Sequence, residues 1–115
     1  MVTTQVVPVV LTPEAIEALP VEPLGQVEGV RHRVLWRDET SMSGVLTVDP
    51  GRNLGEHTHR RNHHHIWVID GEPIVLGQRL RPGSYVHIPA GVAHDIRAPE
   101  DGPCTVLYMY LRPGT

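Results

Sequence analysis

Lysine is absent from this chain of 115 residues, and all ten basic residues are arginine. No Schiff base and no lysine general base can form on such a chain. A single cysteine, Cys104, excludes an internal disulfide framework and any cysteine-based zinc motif. No apolar run approaches the ~20 residues that a membrane-spanning helix requires. The first ten residues lack the basic flank and long apolar stretch of a secretory signal. A cytoplasmic protein without a membrane partner is therefore expected. The net charge is −3 with no basic patch, which argues against nucleic acid as a partner.

Turn formers, by contrast, are plentiful. Eleven glycines and eleven prolines are scattered rather than repeated, and they punctuate short apolar segments. Residues Thr3 to Leu11 are rich in valine and read as a strand, which Pro8 confines to an edge. Thr12 and Pro13 suit the N-cap and first position of a helix. Pro20 and Pro23 keep that helix short. Beyond Gly25 the pattern is one of strands. Val30, His32, Val34 and Trp36 alternate with arginines. Further runs cover Ser43 to Val48, His57 to His59, His64 to Ile69, Ile74 to Leu80, Tyr85 to Ile88, His94 to Ala98 and Cys104 to Leu111. Asp70-Gly71 reads as a hairpin turn. Strands at this spacing predict one all-β domain, 1–115, built as a sandwich or barrel. The valine-rich first strand would need cover, and a homodimer is the expected source.

Eight histidines stand in the chain, five of them between positions 57 and 65. Residues two apart on a strand share a face, with Cα atoms about 6.6 Å apart, so His57 and His59 can converge on one ion. A hairpin through the following loop would return His64 opposite them. His94, just after Pro89-Ala90-Gly91, is the fourth candidate. Four neutral imidazoles suit a divalent transition metal: Fe, Mn, Ni, Cu or Zn.

The spacing of these residues resembles the cupin superfamily. Gly51, His57, His59, His64 and Gly71 fall at the positions of its first motif, with His64 where glutamate is usual. Gly83, Pro89, Gly91 and His94 fall at those of its second, with Ala98 where asparagine is common. The resemblance implies a double-stranded β-helix, the jelly-roll barrel, with one short N-terminal helix and a metal ion inside held by His57, His59, His64 and His94. It looks like the all-histidine cupins, a minority that includes small single-domain proteins and some dioxygenases. Replacing a carboxylate ligand with imidazole leaves a divalent ion its full +2 charge, which favours anionic or enolisable ligands.

Other readings stand beside this one. His63 replaces His64 if the loop is one residue shorter, although the spacing to Gly71 favours His64. His32 and His87 lack a spacing partner and read as surface or satisfied core residues, and His65 faces away from His64. Glu56 and Asp95 flank ligands and read as surface charges or outer-shell partners. Ile66, Val68, Val86, Ile88 and Ile96 read as barrel core, and Cys104 as a small core residue. Tyr85, Tyr108, Tyr110, Trp36, Trp67 and Met42 read first as packing residues. Function divides between a metal-dependent dioxygenase or oxidase acting on a small molecule and a non-catalytic sensor or storage module. A sugar isomerase or epimerase is a third reading, weakened by the missing lysine and glutamate.

Overall fold

The computed structural model describes residues 7–24, 27–57 and 61–111. Among the described residues one short helix, α1 (Pro13–Glu17), precedes nine strands. Thr12 caps the helix by accepting the Ala15 N–H at 3.1 Å, and Pro13 opens it. Among the described residues no helix is long and apolar enough to cross a membrane.

The strands are β1 (Glu22–Pro23), β2 (Val30–Arg37), β3 (Met42–Val48), β4 (His63–Asp70), β5 (Ile74–Val75), β6 (Gln78–Arg79), β7 (Tyr85–Ile88), β8 (Ile96–Arg97) and β9 (Cys104–Leu111). Six form one antiparallel sheet in the order β1-β2-β3-β9-β4-β7, and three form a second in the order β6-β5-β8. A strip of chain before the histidine run widens the second sheet. There Leu54 N–H donates to Ile96 O at 3.1 Å, and Ala98 N–H donates to Arg52 O at 2.9 Å. The two sheets enclose the core of a jelly roll.

Period-two alternation places that core. Leu46 and Val48 of β3, Ile66 and Val68 of β4, and Cys104, Val106 and Tyr108 of β9 all point inward, joined by Val30, Val75, Ile88, Ile96 and Ala98. Burying each valine- or isoleucine-sized side chain contributes roughly 1.5–3 kcal/mol. Gly44 lies opposite Tyr108 in the β3–β9 register. A Cβ there would stand 2.5 Å from the Tyr108 hydroxyl, so the bare glycine makes room for the phenol.

Several local expectations change in the folded chain. Residues 3–6 of the expected first strand lie outside the described residues. Its remainder, Val7 to Leu11, joins no ladder, and Val10 is 85% exposed. Pro8 has no N–H to give, which weakens any pairing there. Asp70-Gly71 closes no hairpin. It turns the chain out of the first sheet toward β5 in the second, with Gly71 at φ +73. A side chain at Gly71 would meet Pro103 O at 2.2 Å, so this turn accepts only glycine. Ile74 to Leu80 is not one strand but a hairpin, β5–β6. Leu76 and Gly77 both adopt positive φ, as a two-residue type I′ loop demands. In β2 the alternation breaks at Leu35, where a bulge carries Trp36 to the surface.

Candidate metal centre

His57 and His94 come from segments that pair backbone to backbone. Each donates its N–H to the other's carbonyl at 2.9 Å. Such a pair holds the two side chains on one side of the ladder, and their ring centroids are 4.3 Å apart. His64 enters from β4 in the facing sheet. Its ring centroid lies 4.9 Å from that of His94, and the two residues are 1% and 3% exposed. Each of the three residues brings one ring nitrogen within 4.8 Å of the others, a set able to hold a metal ion. His59, the fourth candidate, lies outside the described residues.

Backbone carbonyls decide the ring chemistry. His57 Nδ1–H donates to Gly55 O at 2.9 Å, and His94 Nδ1–H donates to Val92 O at 3.0 Å. A carbonyl only accepts, so Nδ1 carries a proton in both rings, and in the neutral ring the lone pair is on Nε2. This is the tautomer a metal ligand needs. His64 Nδ1 lies 2.9 Å from His94 Nε2. Two nitrogens each about 2.1 Å from one ion are about 3.0 Å apart at a right angle and about 3.4 Å apart at a tetrahedral angle. The observed separation suits cis ligands, and it equally suits an N–H···N hydrogen bond. Burial in the first place lowers the His94 pKa; the Val92 carbonyl opposes this and His57 reinforces it. Nitrogen-only donors of this kind fit a first-row divalent ion.

The surroundings hold residues that the sequence pattern ranked low. Tyr110 packs on His64 with centroids 4.5 Å apart, because the β4–β9 register sets the two opposite each other. It also lines a cleft of about 320 Å³ with Leu24, Val27, Leu54 and His57. Burial, and then the neighbouring Tyr108, push the Tyr110 pKa well above the ordinary phenol range. Tyr108 lies behind it, with its hydroxyl 2.6 Å from His32 Nδ1 in a buried pair, and burial raises its pKa to about 12. His32 is thus a satisfied core residue. Asp95 is no mere surface charge. Its carboxylate accepts the Gly55 N–H at 3.0 Å and Asn53 Nδ2–H at 2.9 Å, fixing the loop whose carbonyl orients His57. Only cross-strand register reveals these contacts. Glu56 is exposed.

The remaining histidines turn the other way. His63 and His65 lie on the opposite face of β4 from His64, where His87 joins them across the β4–β7 ladder. His87 therefore has partners that its isolated position in the chain conceals. The expected core residues Ile66, Val68, Ile88 and Ile96 are buried and Val86 packs against them, while Trp67 and Tyr85 stay partly exposed. The Cys104 thiol is buried, which pushes its pKa up to about 11.

Known proteins share this fold. A protein of Thermotoga maritima described as a predicted oxalate decarboxylase superposes with a TM-score of 0.74 at 16% identity, over 84% of this chain and 96% of its own. The polyketide cyclase RemF of Streptomyces resistomycificus superposes with a TM-score of 0.75 at 20% identity, over 85% of this chain and 78% of its own. A protein of unknown function with a cupin-like fold from Ralstonia eutropha reaches 0.76 at 26% identity, over 96% of this chain and 70% of its own. No curated protein matches the sequence. Residues 44–110, more than half of the chain, match the family profile of the cupin domain. Together with the jelly roll and its inward histidines, that match makes the chain a member of the cupin family.

Proposed function

We propose that this cupin is a metal-dependent enzyme of the dioxygenase or oxidase type. It acts on a small anionic or enolisable molecule at a divalent ion held by His57, His64 and His94, with His59 as fourth ligand. The observation that carries this reading is the convergence of three imidazoles, two of them fixed in the ligand tautomer by carbonyls, beside a cleft. When bound, such an ion supplies Lewis acidity and, for Fe, Mn, Ni or Cu, a partner for oxygen chemistry.

The chain's own residues do the rest. Imidazole ligands contribute no negative charge, so the bound ion would keep its full charge and attract an anion. Leu24, Val27 and Leu54 give the cleft apolar walls, which lower the local dielectric and strengthen that attraction. Tyr110, held protonated by burial, lines the same cleft. The names of two structural relatives, one pointing to oxalate and one to polyketide chemistry, support a small acidic or enolic substrate. A single buried thiol suits the reducing cytoplasm. A homodimer would cover the exposed valines of the N-terminal segment, and sedimentation as a 12.8 kDa monomer would reject that part.

Two measurements test the activity. Elemental analysis of protein purified without added metal should find a first-row ion. Oxygen uptake by protein loaded in turn with Fe, Mn, Ni and Cu should then appear with some member of a panel of small enolic and catecholic compounds. Saturable metal without turnover on any of them would refute the enzyme and leave a ligand-binding module. Acetylacetonate should bind the loaded protein more tightly than a neutral sugar, and the reverse order would contradict the charge argument.

A further inference from the structure

The barrel interior takes only part of the histidine run. His63 and His65 alternate with His64 along β4, so their rings stand on the outer face of the sheet. The antiparallel register sets His87 of β7 directly across from His65. The His87 ring lies against both. Its centroid is 4.8 Å from that of His63, with the planes 12° apart, and 4.9 Å from that of His65. His63 Nδ1 and His87 Nε2 are 2.6 Å apart. His65 Nδ1 faces the Tyr85 hydroxyl at 2.6 Å. His87 is exposed, and β7 is the edge strand of its sheet, so the cluster opens to solvent. The ion pairs among the described residues involve none of these three histidines.

We propose that this outward cluster is a second divalent-metal site, back to back with the barrel centre, with His63 and His87 as its ligands and His65 flanking them. Three considerations favour an ion over a surface ornament of rings. Two ring nitrogens already meet at 2.6 Å, the separation of one bridging proton, and small side-chain rotations of this solvent-facing pair would open it to the about 3.0–3.4 Å of two ligands on one ion. Imidazole-only donors suit Zn(II), Cu(II) and Ni(II) among available ions. The backbone positions are set in advance, because β4 is hydrogen-bonded to β7 on one side and β9 on the other; binding then orders only side-chain rotamers, the smaller entropic cost. The open side leaves coordination positions for water or a further ligand. The site does not depend on metal in the barrel, since His64 alone of the three consecutive histidines turns inward.

The test uses the untagged full-length chain, titrated with Zn(II) by calorimetry and assayed for zinc by elemental analysis after dialysis. His87→Ala and His63→Gln should each remove one equivalent of zinc. Both positions lie on the outer face, and circular dichroism of each variant confirms the fold. His94→Ala should remove a different equivalent, and combining it with His87→Ala should remove both. Zinc uptake unchanged in both His87→Ala and His63→Gln overturns the outer site, whatever His94→Ala does. A change in His94→Ala without a change in the other two leaves the barrel reading standing alone.

Discussion

Gly44→Ala tests how tightly the wall behind the metal centre is packed. Backbone propensity alone would favour the change, because glycine inside a strand costs roughly 0.5–1 kcal/mol relative to alanine. Packing opposes it. The new methyl would stand 2.5 Å from the Tyr108 hydroxyl, 2.7 Å from its Cζ and 2.8 Å from Arg33 O. Arg33 O belongs to the paired backbone of β2 and cannot retreat without disturbing the β2–β3 ladder. Tyr108 must move, and it is 2% exposed and bonded to His32 at 2.6 Å. Overpacking of this kind costs about 1–3 kcal/mol, and losing the buried hydrogen bond adds about 1 kcal/mol. After the propensity gain, a net loss of about 1–3 kcal/mol remains. For a domain near 100 residues this lowers Tm by roughly 5–20 °C. Thermal unfolding followed by circular dichroism, in chelator so that metal does not contribute, reads the change. Gly102→Ala is the control, since nothing lies within 4 Å of the added methyl and its φ is not in the left-handed region. It should be neutral or slightly stabilising. A Gly44→Ala protein as stable as wild type would show that Tyr108 shifts freely, and the argument that the wall is rigid would fail.

Four further outcomes are expected. His94→Ala should lower the metal content of purified protein sharply with the fold retained by circular dichroism; unchanged content would remove the barrel site. Asp95→Ala releases the loop that orients His57 and should weaken metal affinity about 10–100-fold in a chelator competition, as loss of a ligand-orienting partner typically does. An unaltered affinity would make Asp95 a surface charge after all. Burial, opposed by Glu22 and assisted by Arg37, lowers the His32 pKa below 6.5, so the unfolded chain takes up more protons there than the folded one. Its contribution is constant above about pH 6.5 and is lost as pH falls below it, so His32→Gln should flatten the acid limb of a urea-stability profile. The buried Cys104 thiol, with its pKa near 11, should resist iodoacetamide in the native protein and react on unfolding, as mass spectrometry would show.

The linear pattern of residues reached a long way in this protein, because β-strands and turn residues write their geometry locally. Parity and turn position placed Ile66, Val68, Ile88 and Ile96 in the core. Thr12-Pro13 opened the one helix, and the spacing from Gly51 to His94 carried the family resemblance. Parity along β4 sent His64 inward and His65 outward. Contacts between strands distant in the chain were invisible at that level, since they depend on register and on which sheet a segment joins. Leu76 and Gly77 folded an expected strand into a hairpin, and Asp70-Gly71 crossed between sheets instead of doubling back. Tyr110 meets His64, and His87 meets His63, only because β9 and β7 pair with β4 on its two sides. Types and spacings of residues thus determined the fold and named the candidate ligands. Tertiary structure alone decided what stands beside each imidazole: the carbonyls that set its tautomer, the phenol that walls it, and the second histidine cluster on the outer face.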